Sequence, residues 1–266
     1  MIHILLSRWR QGHRTFRYPK EIPQLPERFR GLPSIDARLC PEDCRICAEV
    51  CPTEAIEIDS QGPRIDLGRC LFCPDCTDAC PKGAVHFTKN HRLATRDRED
   101  LLLGSSEELR LAKALDGELM KAFGRSLKLR VVSAGGCNGC EVDVNVLGTL
   151  AWDLGRFGIQ FVASPRHADG ILLCGPVTTH MELAVRKTYD AIPEPKIVVA
   201  VGACAISGGP YYRQEEQLGG ASSVLPVDLF IPGCPPHPLT ILDGMLRLLG
   251  KLKQEGRGAP GKAKSA

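Results

Sequence analysis

Eight of the thirteen cysteines lie between positions 40 and 80, where they occur twice in the same arrangement. Three of them recur 29 positions further on, so that Cys44, Cys47 and Cys51 correspond to Cys73, Cys76 and Cys80. Cys40 corresponds to Cys70 at a separation of 30, which leaves one extra residue in the first copy. Each copy ends in Cys-Pro followed by a predicted short strand, at 53–58 and 82–87. A repeat of this size is too small to bury an ordinary hydrophobic core, so it predicts a pseudo-twofold module.

The spacing of the second copy, Cys-x2-Cys-x2-Cys-x3-Cys-Pro, predicts iron–sulfur clusters. In this pattern three close thiolates bind one 4Fe–4S cluster and the fourth cysteine binds another. Cluster 1 is therefore assigned to Cys40, Cys44, Cys47 and Cys80, and cluster 2 to Cys70, Cys73, Cys76 and Cys51. A zinc ribbon is the alternative, but it would not use eight cysteines in a doubled pattern. We expect the extra residue between Cys40 and Cys44 to enlarge that loop and tune cluster 1.

The remaining composition narrows the class of protein. A net charge of +3 and an aromatic content of 5% give no support to nucleic acid as a partner. An odd number of cysteines does not suit a fully paired secreted scaffold, and the apolar start is too short for a signal peptide. No run of about 18 apolar residues is present, so we expect no membrane span. We therefore predict reduced thiolates in a cytosolic protein.

The chain divides into five predicted segments: a basic amphipathic arm (1–36), the eight-cysteine module (37–90), a helical linker (91–127), an α/β domain (128–253) and a disordered tail (254–266). In the arm, one helical face carries four apolar residues, Ile2, Leu5, Leu6 and Trp9, with arginines elsewhere. Such a helix is typical of an anchor on lipid or a partner subunit, although it could also pack on its own domain. In the linker, a Ser-x-x-Glu start at Ser105 and apolar residues at helical spacing predict one helix that ends at Gly124.

Strand and helix signals alternate in the α/β domain. Strands are predicted near 129–133, 159–163, 170–174, 196–201 and 228–231, and helices near 141–154, 179–191 and 238–250. This alternation predicts a largely parallel sheet.

Four further cysteines follow three of these strands: Cys137 and Cys140 after the first, Cys204 after the fourth and Cys234 after the fifth. Since parallel strands end at one edge of a sheet, the four thiols are predicted to converge there. Four convergent thiolates fit a third 4Fe–4S cluster, and zinc fits the ligand count as well. The neighbouring eight-cysteine module favours electron transfer.

Other polar residues are weaker candidates. Cys174, in an apolar strand, is predicted to be a buried structural thiol. Glu141 could contact an active-site subunit or relay protons, or it could simply place charge at a helix N-terminus. For His237, a capping or surface role is favoured over a place beside the cluster. The same preference applies to His167 and His180.

Two resemblances account for most of the chain. The eight-cysteine module, together with Phe29-Arg30-Gly31-Leu32-Pro33, resembles the two-cluster ferredoxin subunits of complex I and of membrane-bound hydrogenases. The second half resembles the small subunit of energy-converting nickel–iron hydrogenases of the formate hydrogenlyase type, which is similar to the complex I 20 kDa subunit. The motifs are Gly136-Cys137-Asn138-Gly139-Cys140-Glu141, Ser164-Pro165-Arg166-His167-Ala168-Asp169, Gly202-Ala203-Cys204 and Ile231-Pro232-Gly233-Cys234-Pro235-Pro236.

The resemblance implies a flavodoxin-like domain whose proximal cluster, held by Cys137, Cys140, Cys204 and Cys234, faces a large catalytic subunit. That partner would hold nickel and iron, and electrons would pass to or from it through three 4Fe–4S clusters. Membrane subunits and a redox donor such as a ferredoxin or formate dehydrogenase are further implied partners, with the chain peripheral on the cytoplasmic side. Ferredoxin and small subunit are normally separate chains, so the fusion is unusual.

The spacing between Cys137 and Cys140 distinguishes a hydrogenase subunit from a quinone-reducing one. Complex I has two adjacent cysteines at this place, whereas Cys137 and Cys140 are separated by two residues as in hydrogenases. The resemblance therefore favours hydrogen chemistry over quinone reduction. A quinone- or methanophenazine-reducing relative of complex I is the second hypothesis, and a zinc-stabilised scaffold is the third.

Overall fold

The structure is a computed structural model that describes residues 2–12, 14–41, 44–59, 62–104 and 107–252. Its α-helices are α1 (Ile2–Gln11), α2 (Ile46–Glu49), α3 (Asp75–Asp78), α4 (Gly117–Phe123), α5 (Gly139–Val146), α6 (Thr179–Asp190), α7 (Ala203–Ser207) and α8 (Pro238–Leu248). Its strands are β1 (Pro33–Ile35), β2 (Ile56–Asp59), β3 (Gly62–Asp66), β4 (Val85–Phe87), β5 (Leu102–Gly104), β6 (Leu127–Ser133), β7 (Ile159–Phe161), β8 (Gly170–Cys174), β9 (Ile197–Val201) and β10 (Leu229–Ile231).

The cysteine repeat folds into two matching halves. α2 and α3 occupy equivalent places 29 positions apart, each within its cysteine loop. β1 pairs antiparallel with β4, while β2, β3 and β5 form a separate antiparallel sheet. Both strands predicted after the cysteine loops are present, as β2 and β4. The few buried side chains between the halves include Ile35, Ile56, Ile65 and Val85.

The second half contains a five-stranded parallel sheet in the order β10-β9-β8-β6-β7. With the strands renumbered from β6, this is the flavodoxin-like order 2-1-3-4-5 read from the other edge. Every residue of β8 and β9 is buried, which is why these strands are continuous apolar runs. The predicted fold, an α/β parallel-sheet domain preceded by a ferredoxin-like module, is confirmed.

The linker differs from the predicted helix. Among the described residues of the linker, α4 is the only α-helix, because Ala112 N donates to Ala94 O at 2.7 Å and Leu115 N donates to Leu248 O at 2.9 Å. These amides bond to distant segments and cannot form helical i→i−4 bonds. Upstream, β5 pairs with β3 of the cysteine module. The proposed helix start at Ser105, like the predicted tail 254–266, lies outside the described residues.

The helix after Cys140 is also shorter than predicted. α5 ends at Val146, where both the backbone N and the Oγ1 of Thr149 bond to its carbonyl oxygen. Asp153 then adopts a φ of 47°, which starts a short 3-10 turn over Leu154–Phe157. A side chain that competes for a terminal carbonyl ends a helix that apolar spacing alone would extend.

The two halves and the arm are joined by specific contacts. Thr95 forms an antiparallel bridge to Phe230 at the edge of the parallel sheet. Ser207 Oγ donates to Gly68 O at 2.9 Å. From the arm, Tyr18 Oη donates to Asp243 Oδ1 at 2.6 Å inside the core, where Asp243 also pairs with Arg247.

The arm helix α1 takes no part in these contacts within the core, because none of its residues is buried. In the structure it therefore does not pack on its own domain, and its role as an anchor stays a prediction. None of the described helices is long and apolar enough to cross a membrane.

Candidate iron–sulfur sites

The structure gathers the four ligands assigned to cluster 1 around one pocket. Cys40, Cys44, Cys47 and Cys80 all line it, together with the apolar side chains of Ile35, Ile46 and Val85. Burial, then the neighbouring Cys44 and Cys80, raise the pKa of the Cys40 thiol. The fourth ligand thus comes from the other copy of the repeat, as the crossed assignment predicts.

The ligands assigned to cluster 2 are also neighbours. Burial first, and then the nearby Cys73 and Cys51, raise the pKa of Cys76 to about 11. For Cys70, burial raises the pKa most, the Phe72 amide opposes this, and Cys76, Cys51 and Cys73 add to it. Cys51 therefore crosses from the first copy to the second.

Backbone amides point at the crossing cysteines in the same way in both copies. Ala55 N donates to Cys51 Sγ at 3.2 Å, and Ala84 N donates to Cys80 Sγ at 3.2 Å. Although burial acts in the opposite direction, amides from Lys82 to Val85 lower the pKa of Cys80. Such N–H···S bonds favour thiolates and are a means of tuning cluster potential.

The third group of cysteines lies at the carboxyl edge of the parallel sheet. Cys140 lies in the first turn of α5, Cys204 begins α7, and Cys234 follows β10. After burial, the neighbouring Cys204 and Cys234 raise the pKa of Cys140. Burial raises the pKa of Cys204 to about 12, with Cys234 and Cys137 contributing next. All four predicted ligands are therefore brought together.

Close backbone contacts make this convergence possible, since β8 separates β6 from β9 and β10 in the sheet. The loop after β6 crosses the end of β8 where a Cβ on Gly136 would lie 3.0 Å from Gly175 Cα. At Gly202, φ is +91° and a Cβ would collide with Cys140 Sγ. Further tethers come from Gly202 N to Ile231 O (2.9 Å) and Ala203 N to Gly233 O (2.8 Å), which hold the Cys204 and Cys234 loops together.

The donor sets fit 4Fe–4S clusters on chemical grounds. Each comprises four cysteine sulfurs, the ligands that such clusters take. Burial and mutual repulsion raise most of these pKa values, so the metal must supply the charge that keeps the sulfurs deprotonated. Among the described residues, no three His, Cys, Asp or Glu side chains are placed to hold a single metal ion.

The three sites are arranged in series. Cys47 of cluster 1 is among the charges that raise the pKa of Cys76 in cluster 2, after burial, Cys73 and Cys51. The pKa of Cys234 is raised by burial first and by Cys137 second. Cys73, assigned to cluster 2, is close enough to raise it as well. The cysteines assigned to cluster 2 therefore lie between those assigned to cluster 1 and the edge of the parallel sheet.

The weaker candidates have clear environments. Cys174 is fully buried at the end of β8, as predicted. His237 caps α8 by accepting a bond from Leu239 N to its Nδ1 at 3.1 Å, which confirms the capping role. His167 and His180 are exposed. Glu141 is buried in the first turn of α5, and its Oε1 atom has no hydrogen-bond partner among the residues that the structure describes.

Tyr211 is a neighbour of the third site that the sequence motifs did not indicate. Burial raises the pKa of its phenol, and the nearby Cys137, Cys204 and Cys234 raise it further, so the ring lies beside the third site. A 3-10 turn over Gly209–Tyr211 places it there, directly after α7. The Gly-Gly-Pro sequence before Tyr211 is a turn signal that could have indicated this return toward Cys204.

The fold and the cysteine sites define a 4Fe–4S electron-transfer protein in which a two-cluster module precedes a flavodoxin-like domain. Comparison with known proteins agrees. Residues 39–84 match the 4Fe-4S dicluster domain family, and residues 137–248 match the family described as NADH ubiquinone oxidoreductase, 20 Kd subunit.

Three relatives are similar to this chain. A probable membrane-bound hydrogenase subunit, mbhJ of Pyrococcus furiosus, is 40% identical over 157 residues, covering 59% of this chain and 93% of the relative. Formate hydrogenlyase subunit 7 of Escherichia coli is 40% identical (53% of this chain, 56% of the relative). An NADH-quinone oxidoreductase subunit of Bacteroides thetaiotaomicron is 45% identical (44% and 59%). This chain spans less than two-thirds of the length of the Escherichia coli and Bacteroides relatives.

The chain belongs to the family of the membrane-bound hydrogenase subunit mbhJ, and its residues 137–248 match the complex I 20 kDa subunit family. It is an iron–sulfur electron-transfer subunit of the hydrogenase and complex I class of oxidoreductases.

Proposed function

We propose that this chain is the electron-transfer subunit of a membrane-bound nickel–iron hydrogenase and carries three 4Fe–4S clusters. Cys40, Cys44, Cys47 and Cys80 hold cluster 1; Cys70, Cys73, Cys76 and Cys51 hold cluster 2; Cys137, Cys140, Cys204 and Cys234 hold the proximal cluster. When bound, the clusters supply one-electron transfer between a donor and a catalytic large subunit. The observation that carries the proposal is the convergence of the last four cysteines beside cluster 2.

Exposed residues at the two ends of the row of sites suggest where each partner docks. The cluster 1 pocket is bordered by exposed residues, among them Pro81 and Lys82, and is the end at which a donor such as a ferredoxin or formate dehydrogenase would dock. At the other end Cys137 is exposed and faces outward, as a ligand next to a large subunit should. Glu141 is buried directly behind this edge, and we propose its carboxylate for a contact with the partner or for a proton relay.

Metal analysis tests the number of clusters. The chain, purified or reconstituted without oxygen, should contain about twelve iron atoms and equal sulfide, with low-temperature EPR signals on reduction. A value of about four iron atoms, or zinc in place of iron, would contradict the three-cluster proposal.

A quinone-reducing complex I relative is the second candidate, because the NADH-quinone oxidoreductase subunit is 45% identical to this chain. The two-residue spacer between Cys137 and Cys140 favours the hydrogenase. The native complex should evolve or consume hydrogen and contain nickel in its large subunit. Quinone reduction by a complex without nickel would replace the first candidate with the second.

We also propose a peripheral position on the cytoplasmic side, in contact with membrane subunits. The relatives named as membrane-bound hydrogenase and formate hydrogenlyase subunits support this. Protease protection in oriented vesicles tests the side of the membrane.

A further inference from the structure

Helix α1 has no part in the proposed electron transfer. It lies before both matched regions, which begin at residues 39 and 137. None of its ten residues is buried. Several large apolar side chains are nevertheless present and open to solvent: Ile2 is 72% exposed, Leu5 69%, Leu6 44% and Trp9 83%. Leaving so much apolar surface exposed is unfavourable unless something covers it.

These side chains form one stripe. Successive residues of an α-helix are rotated by about 100°, so Ile2, Leu5, Leu6 and Trp9 fall within an arc of about 100°. Arg8 borders the stripe on the side of Leu5, and Arg10 borders it on the side of Leu6. The remaining polar residues, His3, Ser7 and Gln11, lie opposite, together with Ile4. Arginines on both borders can reach past an apolar surface to charged groups above it.

The charge around the stripe has one sign. α1 contains no acidic residue, and Arg14 and Lys20 follow it as exposed cations. Arg17 is the exception, because it pairs with Glu21 at 3.3 Å. A cationic border around an apolar stripe complements the anionic headgroups and acyl boundary of a bilayer.

The helix leaves the domain beside another exposed apolar residue. Thr15 Oγ1 donates to Leu150 O at 2.9 Å, and Phe16 N donates to Ala151 O at 2.8 Å. Phe16 also packs edge-on against Trp152, with ring centroids 4.9 Å apart. Leu150 itself is 71% exposed, so the point from which α1 departs continues the apolar surface.

We propose that α1 binds the surface of an anionic bilayer directly, with its stripe in the interface and Trp9 at headgroup depth. Ten residues are too few to span a membrane, so the helix lies in the plane of the surface. This goes beyond the proposed electron transfer, because it needs no partner subunit and no bound cluster.

Flotation of the full chain with vesicles tests the proposal. The chain, with its clusters, should float with vesicles of phosphatidylcholine and phosphatidylglycerol, and binding should weaken in high salt. Vesicles of phosphatidylcholine alone should bind it about tenfold less well. Trp9 fluorescence, obtained as the difference from a Trp9→Phe variant, should shift to the blue on binding. Absence of binding to anionic vesicles, or equal binding to both kinds, would overturn the proposal.

Paired variants show whether the stripe and its arginines are what the vesicles bind. Leu5→Ser with Trp9→Ser should lower anionic-vesicle affinity at least about tenfold, and Arg8→Gln with Arg10→Gln should lower it by a similar factor. The matched controls Leu183→Ser, at a residue 62% exposed on α6, and Lys113→Gln with Arg125→Gln should bind as the parent does. EPR spectra of all variants should be unchanged, so failure here is distinguishable from failure of the electron-transfer proposal.

A protein partner is the competing occupant. If the α1 variants keep full vesicle affinity but release the chain from the membrane subunits of the native complex, α1 docks on protein and the lipid proposal is wrong.

Discussion

At the carboxyl edge of the parallel sheet, some positions have no room for a side chain. Gly202 combines a φ of +91° with a position against Cys140 Sγ, so both its backbone and its missing Cβ are required. A nearby glycine, Gly209, abuts the backbone N and Sγ of Cys204 in the same way. The space for the proposed proximal cluster is therefore defined as much by absent side chains as by the four sulfurs.

The variant Gly202→Ala should lose the proximal cluster. At a φ of +91° and a ψ of 158°, a conformation essentially confined to glycine, alanine costs about 1–3 kcal/mol, and its Cβ would displace Cys140 Sγ. Iron should fall from about twelve to about eight atoms, with the signals of the other two clusters retained. Gly117→Ala is the matched control, because Gly117 has a φ of +40° but nothing within 4 Å of an added Cβ, and it should keep all its iron. Equal iron loss in both variants would mean that backbone strain destabilises the fold in general, and that contact with Cys140 is not responsible.

A second residue-scale feature is sensitive to pH. Burial lowers the pKa of His91 to about 4, and within the described part of the chain its Nε2 atom has no hydrogen-bond partner. Because the folded pKa lies below the unfolded value near 6.5, the unfolded chain binds the extra proton first as the pH falls. The resulting stability is complete above about pH 6.5 and is lost as the pH falls toward 4.

Replacing this histidine should flatten the acid dependence of stability. His91→Phe keeps a ring beside Tyr18, whose centroid is 6.0 Å away, and removes the proton site. Between about pH 7 and pH 5 the parent should lose about 1–2 kcal/mol more unfolding free energy than His91→Phe, measured by anaerobic urea unfolding. His86→Gln, at an exposed histidine, should behave as the parent does. Parallel pH profiles for parent and His91→Phe would contradict the assignment.

Among elements, the strands were the most predictable. β8 and β9 are found within a residue of their predicted bounds because both are buried on two faces and read as apolar runs. The crossed cysteine assignments also followed from sequence spacing, and the structure places those thiols together. Helix ends were less predictable, since Thr149 ends α5 and long-range amide bonds keep 107–116 out of a helix. Tyr211 was missed because it lies outside the cysteine motifs, although the Gly-Gly-Pro turn signal before it could have indicated the return of the chain over α7.

The position of a cysteine relative to its strand distinguishes a proposed cluster ligand from a structural thiol. Cys174 is the last residue of β8 and is fully buried, whereas Cys204 lies beyond β9, at the start of α7. Cys174→Ala should therefore keep all its iron and cost about 1 kcal/mol of stability. Cys204→Ala should lose about four iron atoms. Iron analysis of the two variants distinguishes them, and the prediction is wrong if Cys174→Ala loses a cluster.

At the scale of the whole molecule, the interface between the two halves sets the spacing of the sites. It is held by the Thr95–Phe230 bridge, the Ser207–Gly68 bond and an ion pair between Arg213 and Glu54. These contacts bring Cys73 of the module close enough to Cys234 to perturb its pKa, after burial and Cys137. Fusion of the two parts thus fixes a junction that separate chains would have to form by association.

Magnetic interaction across this junction is the expected consequence. In the fully reduced protein, the EPR signal of cluster 2 should be broadened by the proximal cluster. The Cys204→Ala variant should sharpen that signal and leave the g-values of cluster 1 unchanged. A spectrum of cluster 2 that is identical in parent and variant would show that the two sites do not interact.

The pairing of β5 with β3 has a practical meaning for anyone dividing this chain. Arg64 opposite Gly104 and Asp66 opposite Leu102 make the cysteine module end, as a folded object, near residue 104 and not at its last cysteine. A gene fragment cut at residue 90 would encode a sheet with one edge unpaired, inviting aggregation through that edge. Fragments for crystallisation, evolutionary comparison of fused and split versions, or grafting onto other enzymes should therefore carry β5 with the module.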